Sequence, residues 1–362
     1  MKPIRCCVVA RAALLILSVF APAQSPLPQY PPPAEVRAAF RKLLDRPVVP
    51  ADPKPVGRRV QGNGQTIEDL TIATETRADG TPERVPIRVV TPAGAGASRR
   101  PTIIVLHGTG GSKDSVKDWL TAFADHGFLA IAIDARYHGD RAGGQRGKAA
   151  YEAAALRAWR GKPGEPQEHP WFYDTCWDLW RTVDYLRIRP DVDPDRIGMI
   201  GISMGGIQTW LAAAVDERVK VAIPAIAVQS FRWSLEHDRW QGRARTIQAV
   251  HDAVAKDLGE SAVNAMVCRE LWAKIVPGIT EQFDCPSMLR LFAGRPLLIL
   301  NGDRDPNCPI DGARLAIASA EVAFREANAT DKLRVMIAEG VGHQVTPEQR
   351  AAAIAWCEKW LK

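Results

Sequence analysis

After its first 23 residues, the chain lacks any hydrophobic run long enough to cross a membrane. It also lacks a cluster of lysines and arginines, so its formal net charge of +6 does not indicate a nucleic-acid partner. The spacing of its seven cysteines matches no zinc motif, and no internal repeat is visible. These absences argue against membrane-spanning, nucleic-acid-binding, zinc-binding and repeat proteins. They favour one large globular domain.

The first 23 residues have the pattern of a cleavable signal peptide. Three basic residues surround the start of a short apolar run at 12–20, and Ala21-Pro22-Ala23 fits the small-x-small cleavage rule. The apolar run is too short to span a bilayer, which disfavours an uncleaved anchor. We therefore predict a signal peptide at 1–23 and a secreted or periplasmic protein without stable membrane association after cleavage. Cleavage would lower the formal net charge to +3, because it removes three basic residues and no acidic one.

Cleavage would leave an odd number of cysteines, namely Cys176, Cys268, Cys285, Cys308 and Cys357. In an oxidising compartment Cys268 and Cys285 are a candidate disulfide pair, although spacing alone does not fix connectivity. Buried free thiols are the alternative, and we favour it for the remaining three.

The order of elements predicts an α/β fold. Residues 24–56 are rich in proline and contain one short helical stretch at 34–44, which indicates an arm laid on the surface. From residue 57 to 362, strands alternate with helices, and this alternation predicts a mainly parallel, eight-stranded sheet with helices on both faces. The predicted strands are 67–75, 85–90, 102–106, 128–133, 197–202, 219–228, 296–300 and 333–338, and the predicted helices are 115–126, 173–186, 205–215, 312–328 and 348–361.

One segment interrupts this alternation. Residues 229–294 lie between two strands and are far longer than an ordinary crossover. We interpret them as a helical cap inserted over the carboxyl ends of the strands. Trp233 and Trp240 are candidate substrate-binding residues in it, and the alternative is that they form the core of the insert itself.

The segment Gly201-Ile202-Ser203-Met204-Gly205 carries the candidate nucleophile. It follows an apolar strand and precedes a helix, and a sharp turn there requires small residues two positions before and after the serine. The turn raises the Ser203 hydroxyl above the sheet edge, where the positive end of the next helix lies beneath it.

A serine nucleophile needs a base, and the base needs an orienting acid. His343 follows the last predicted strand in a glycine-rich loop, and Asp305 follows the strand at 296–300. Asp303 is an alternative acid, although it can also stabilise its own turn. A tetrahedral intermediate also needs two backbone donors, and we assign them to the N–H groups of Met204 and Thr109, with Gly110 as the alternative to Thr109.

These motifs resemble the α/β-hydrolase superfamily. The strings DPDRIGMIGISMGG, LHGTGG, NGDRD and GVGH are closest to its dienelactone-hydrolase-like, acetyl-xylan-esterase-like and prolyl-oligopeptidase-like members. The order Ser203, Asp305, His343 is the order of that superfamily, and its G-x-x-D spacing from Gly302 falls on Asp305. Dienelactone hydrolases proper carry a cysteine nucleophile, so Ser203 argues against that activity.

The segment Asp134-Ala-Arg-Tyr-His-Gly-Asp-Arg141 resembles the D-x-R-x-H-G loop of the same group. We expect Arg136 and Arg141 to pair with Asp134 and Asp140 and so to rigidify the loop. Recognition of a substrate carboxylate by either arginine is the alternative. His107 and His138 are expected to hold loops.

The resemblance implies a serine hydrolase that cleaves carboxylic esters through a Ser-His-Asp triad and an acyl-enzyme, with no cofactor and no metal. Esterified carbohydrate or another small-molecule ester is the expected substrate. A serine peptidase of the prolyl-oligopeptidase type is the second hypothesis, although the segment before residue 65 is too short for a β-propeller. A catalytically inactive binding protein on the same fold is the third.

Overall fold

The computed structural model describes residues 27–96, 98–143, 147–165 and 167–362. The predicted signal peptide at 1–23 lies outside these residues. No helix in the described part is long and apolar enough to cross a membrane. The strands are β1 (Lys54–Val60), β2 (Thr66–Thr76), β3 (Pro82–Thr91), β4 (Arg100–Leu106), β5 (Leu129–Ile133), β6 (Val192–Ile202), β7 (Val219–Ala225), β8 (Leu297–Gly302) and β9 (Leu333–Ala338).

The strands of the described residues form one sheet in the order β1-β2-β3-β5-β4-β6-β7-β8-β9. Neighbours from β1 to β3 and the β3–β5 pair are antiparallel, and every pair from β5 to β9 is parallel. Side chains alternate between two apolar clusters, since Ile104 and Leu106 face one cluster while Ile103 and Val105 face the other. Helices therefore cover both faces, as the alternation of elements predicted.

The prediction of eight strands was wrong, because the described sheet has nine. The additional strand is β1, which pairs antiparallel with β2 and crosses the predicted boundary between arm and domain at residue 57. All seven of its residues are exposed, so it has no alternation of apolar and polar side chains to mark it as a strand. Pro55 and Gly57 weaken the strand signal further.

The helices include one that sequence patterning missed, α3, whose five buried residues include four alanines with little apolar contrast. The helices are α1 (Pro33–Leu43), α2 (Lys117–Asp125), α3 (Ala149–Arg160), α4 (Tyr173–Ile188), α5 (Met204–Val215), α6 (Phe231–Glu236), α7 (Gln241–Arg245), α8 (Gln248–Asp257), α9 (Ala265–Ile275), α10 (Cys285–Leu289), α11 (Ile310–Glu326) and α12 (Pro347–Leu361).

The predicted helix of the proline-rich arm is confirmed as α1, but α1 does more than lie on the surface. Val36, Phe40 and Leu44 are each at most 1% exposed and belong to the larger apolar cluster. The Phe40 ring lies 5.1 Å from Tyr173 and 5.0 Å from Phe283, both in edge-on geometry. The arm therefore closes part of the core.

The insert at 229–294 forms α6 to α10, and its buried side chains belong to the same cluster as the sheet. Trp272 packs on Phe231 at 5.4 Å and on Trp171 at 5.9 Å, so the insert is packed against the chain before it. The expected pairing of Cys268 with Cys285 is wrong, since both are buried free thiols. Cys176, Cys308 and Cys357 are also buried free thiols, as we favoured.

We predict that Phe40→Ala lowers the free energy of unfolding by about 3–5 kcal/mol, because it leaves a cavity among aromatic rings. Glu35→Ala, on the exposed side of the same helix, is the matched control and should change it by about 0.5 kcal/mol or less. Urea unfolding of the purified protein measures both. A loss of under about 1 kcal/mol in Phe40→Ala would contradict an arm that is part of the core.

Candidate active site

Ser203 lies in a strained turn between β6 and α5. Its backbone has φ 56° and ψ −113°, a region that serine rarely adopts. A Cβ on Gly201 would lie 2.0 Å from the Gly205 carbonyl oxygen, and a Cβ on Gly205 would lie 2.6 Å from the Leu106 carbonyl oxygen. The Ser203 N–H donates to the Ala225 carbonyl at 2.9 Å, which ties the turn to the end of β7. The two small residues that the sequence motif required are therefore sterically necessary.

The structure brings Ser203, His343 and Asp305 into one hydrogen-bonded chain. His343 Nε2 lies 2.7 Å from Ser203 Oγ, and His343 Nδ1 lies 2.7 Å from Asp305 Oδ2. The three residues follow β6, β9 and β8, whose carboxyl ends meet at one edge of the sheet. This arrangement can move the serine proton to the imidazole while the carboxylate holds the imidazole in one tautomer.

Of the two candidate acids, Asp305 is the one that contacts His343. Its side chain is fully buried, and its second oxygen, Oδ1, accepts the N–H groups of Asn307 at 2.8 Å and Cys308 at 3.2 Å. Asp303 instead accepts the Gly340 N–H at 2.7 Å and so joins the two loops that carry the acid and the base. Its bond therefore joins two loops, whereas the sequence alternative was that Asp303 stabilises its own turn.

The loop after β4 lies beside the serine. Gly108 is so close to Ser203 that a side chain on it would contact the serine Cβ, and the Gly108 carbonyl accepts the Gly111 N–H at 3.0 Å. Thr109 is in this turn, and no hydrogen bond from its N–H occurs among the described residues. Met204 is the first residue of α5, so its N–H has no acceptor within the helix. Both N–H groups thus lack an acceptor in the described part of the chain, and their role as oxyanion donors stays a prediction.

His107 joins the loop after β4 to the loop after β5. Its Nδ1 donates to the Gly108 carbonyl at 2.8 Å, and its Nε2 accepts the Ala135 N–H at 3.1 Å. The His138 ring lies 5.2 Å from the His107 ring. Burial lowers the pKa of both imidazoles to about 4, so both are neutral at pH 7. The sequence prediction that they hold loops agrees with these contacts.

The expected partners of Arg136 and Arg141 were wrong. Both guanidiniums pair with Asp178 of α4, and Arg141 also pairs with Glu83 of β3. Asp134 binds Lys113 instead, at 3.1 Å. Sequence spacing favoured nearby carboxylates, whereas the fold brings in partners from distant elements. Since these charges satisfy both arginines, neither is free to recognise a substrate.

A cavity of about 340 Å³ lies against the loop that carries Asp305. Its lining includes Trp233 but not Trp240. Trp233 stacks on His237 with ring centroids 4.3 Å apart, and Trp240 is partly buried with its Nε1 donating to Asp238 at 2.8 Å. The structure therefore places one of the two predicted tryptophans at a cavity beside the candidate acid.

Two residues at the site gave no signal in the sequence. Cys308 Sγ is grouped with the ligand atoms of Asp305 and His343, all within 4.8 Å of one another. The guanidinium of Arg243, in the insert, lies 3.7 Å from that sulfur and donates to the Asn307 carbonyl at 3.0 Å. Burial raises the pKa of the Cys308 thiol. Cys308 would bind a metal only as a thiolate, and the adjacent Arg243 guanidinium repels a cation. The cluster of Asp305, His343 and Cys308 therefore fits proton transfer better than metal binding.

The family model of the dienelactone hydrolase family matches residues 85–255. This match covers a little under half of the chain and includes Ser203. Putative hydrolase YtaP of Bacillus subtilis (strain 168) is 28% identical over 274 residues, which are 72% of this chain and 79% of that protein.

Solved structures resemble the fold over nearly the whole chain. Acetyl xylan esterase 1 from Thermoanaerobacterium sp. JW/SL YS485 aligns with a TM-score of 0.63 and 18% identity, covering 92% of this chain and 96% of that one. A glucuronoyl esterase from Solibacter usitatus aligns with a TM-score of 0.61 and 18% identity, covering 91% and 92%. Identities this low support a common fold and leave the substrate to the site itself.

We predict that Asp305→Asn slows labelling of Ser203 by a fluorophosphonate about 10³- to 10⁴-fold, because the amide no longer holds the productive histidine tautomer. Asp303→Asn is the matched control and should slow labelling less than about tenfold, since Asp303 only joins two loops. Rates come from intact-mass measurement over time. Equal losses in the two variants would contradict the assignment of Asp305.

We also predict that the free energy of unfolding depends on the protonation of the buried histidines. Their pKa is about 4 in the folded protein and about 6.5 in the unfolded chain, so unfolding takes up protons between these values. Stability should therefore fall as pH falls from about 6.5 to about 4, by about 1.4 kcal/mol per pH unit for each histidine.

His138→Asn tests this pH dependence and keeps a donor for the Arg136 carbonyl, which His138 Nδ1 contacts at 2.8 Å. Asp284, whose pKa burial raises to about 7, acts in the opposite sense, but it cancels when the variant is compared with the wild type. Urea unfolding at a series of pH values should give a smaller slope in the variant. An unchanged slope would contradict the lowered pKa of His138.

Proposed function

Because this chain belongs to the α/β-hydrolase superfamily, as its motifs predicted, we propose that it is a serine hydrolase that cleaves carboxylic esters through an acyl-enzyme. The observation that carries the proposal is the hydrogen-bonded chain from Asp305 through His343 to Ser203. The family match and the esterases among the structural neighbours support a hydrolase, and within hydrolases an esterase.

In the proposed first half-reaction, His343 Nε2 takes the Ser203 hydroxyl proton while the oxygen attacks the ester carbonyl. The N–H groups of Met204 and Thr109 receive the negative charge that develops on the carbonyl oxygen. Asp305 stabilises the imidazolium that forms. The intermediate collapses when the carbon–oxygen bond to the alcohol breaks and His343 returns the proton to that oxygen.

In the second half-reaction, water replaces the alcohol. His343 takes a proton from the water as it attacks the acyl carbonyl, and the same two N–H groups hold the oxyanion. The bond to Ser203 Oγ then breaks while His343 returns the proton to that oxygen, which releases a carboxylic acid and restores the serine hydroxyl. Side chains supply both proton transfers.

We propose esters of carbohydrates as the first substrate class to test. Solved neighbours include an acetyl xylan esterase and a glucuronoyl esterase, and Trp233 lies at a cavity beside the acid loop. An aromatic side chain at a cavity suits the apolar face of a sugar. Export from the cytoplasm is part of the same proposal, and its support is the signal-like pattern at residues 1–23.

We predict that Ser203→Ala lowers turnover of 4-nitrophenyl acetate at least about a thousandfold, because no other group replaces the nucleophile. Ser261→Ala, an exposed serine of the insert, is the matched control and should keep wild-type turnover. Thermal unfolding of both variants should stay close to that of the wild type. Wild-type protein that neither turns over short esters nor reacts with a fluorophosphonate would overturn the proposal. Comparison of the ester with proline-containing peptide amides separates an esterase from a peptidase.

A further inference from the structure

Arg243 is a buried guanidinium without a carboxylate partner. The residue is 2% exposed, and within the described residues its hydrogen bonds go only to the Asn307 carbonyl and the Cys308 sulfur. Its Nε has no partner at all in the described part of the chain. By contrast, the buried guanidiniums of Arg136 and Arg141 each pair with two carboxylates. Burying a cation without an opposite charge costs free energy, and a bound anion would offset that cost.

Three further donors around Arg243 also lack partners. The Trp171 Nε1 and Gln229 Nε2 atoms are buried and make no hydrogen bond among the described residues. The Tyr151 hydroxyl also donates to no acceptor among the described residues, although its oxygen faces the Phe172 N–H. All four unpartnered groups can donate, and a carboxylate is a group that only accepts.

These donors belong to one region of the core. Arg243 and Trp171 both lie on the Phe231 ring, at 5.5 Å from the guanidinium carbon and 6.2 Å between ring centroids. Gln229 is two residues before Phe231. Burial raises the pKa of Tyr151. The positive charge of Arg243 opposes that rise, so the two side chains interact electrostatically.

The region is adjacent to the candidate catalytic groups. Cys308 Sγ, which Arg243 contacts, donates to the Ile226 carbonyl at 3.3 Å, and the preceding residue Ala225 accepts the Ser203 N–H. The same sulfur lies within 4.8 Å of a carboxylate oxygen of Asp305 and a ring nitrogen of His343. An anion held by Arg243 would thus be connected to Ser203 through Cys308, Ile226 and Ala225.

We propose that Arg243, with the unpartnered donors of Tyr151, Trp171 and Gln229, is a subsite for a carboxylate of the substrate. The proposal rests on the ester hydrolase function and narrows it to esters that carry a free carboxylate, on either the acyl group or the alcohol. A bound carboxylate neutralises the guanidinium and accepts from donors that otherwise stay unsatisfied. The insert, which supplies Arg243, thereby selects the substrate.

Paired substrates test the proposal and distinguish the two positions of the carboxylate. For the acyl position, mono-4-nitrophenyl succinate is compared with 4-nitrophenyl butyrate. For the alcohol position, 4-acetoxybenzoate is compared with 4-acetoxyacetophenone. The wild type should show a kcat/KM at least about tenfold higher for the anionic member of one pair, the size expected from one charge-assisted hydrogen bond.

Arg243→Met should abolish this preference, lowering kcat/KM for the anionic ester at least about tenfold more than for its neutral partner, because binding of the anion is lost in addition to any change in the Asp305 loop. Arg243→Lys should keep part of the preference, since it keeps the charge but not the fork of donors. Arg269→Met, an exposed arginine of the same insert, is the matched control and should keep the full preference.

The outcomes separate this subsite from the proposed function. Turnover of the neutral esters and fluorophosphonate labelling report on the Ser203 chemistry, whereas the preference reports on Arg243. A wild type that turns over neutral esters without preferring either anionic partner would overturn the subsite. A loss that is equal for neutral and anionic esters in Arg243→Met would also overturn it, and would leave Arg243 as support for the Asp305 loop. Should Arg243→Met not fold, competitive inhibition of the wild type by glutarate or benzoate, weakened in Arg243→Lys, decides the question.

Discussion

The site depends on one geometric constraint, which is that three parallel strands end at the same edge of the sheet. β6, β8 and β9 deliver Ser203, Asp305 and His343 to that edge, and β7 lies between the first two. The two hydrogen bonds of 2.7 Å that join these residues span three separate loops. They form only because the parallel register fixes the relative heights of the strand ends. Strain in the backbone of Ser203 is held in the same way, by close contacts with glycines and by its bond to β7.

The insert is part of this machinery as well as of the core. A Cβ on Gly242 would lie 1.8 Å from the Pro306 carbonyl oxygen, so α7 packs directly on the loop that carries Asp305. Arg243, the next residue, holds the Asn307 carbonyl of the same loop. An insertion that reaches both the acid loop and the interior can change specificity without changing the reacting groups. The distribution of charge follows this division in part, since the buried arginines Arg136 and Arg141 are paired with carboxylates and Arg243 is not.

Sequence reasoning recovered the features that depend on local chemistry. The turn at Ser203, the set of Ser203, Asp305 and His343, and the α/β-hydrolase fold could all be found because each motif must satisfy a local steric or chemical demand. Patterning missed β1 and α3 for the opposite reason. An edge strand exposed at every residue and an alanine-rich helix have little apolar contrast, so their periodicity is weak. The wrong partners assigned to Arg136 and Arg141 reflect the same limit, because proximity along the chain was the only available guide.

The sequence by itself determined which residues carry the proposed chemistry, since glycine spacing around Ser203 and the loops that follow the strands require particular residue types at particular places. The G-x-x-D spacing favoured Asp305 over Asp303, and the tertiary structure decided between them, because it brings the Asp305 carboxylate to His343 and the Asp303 carboxylate to Gly340. It also decided that Arg136 and Arg141 meet carboxylates whereas Arg243 does not. Ion pairing is a property of distance in space, and the carboxylates that satisfy Arg136 and Arg141 come from elements far along the chain. No spacing rule could have singled out Arg243.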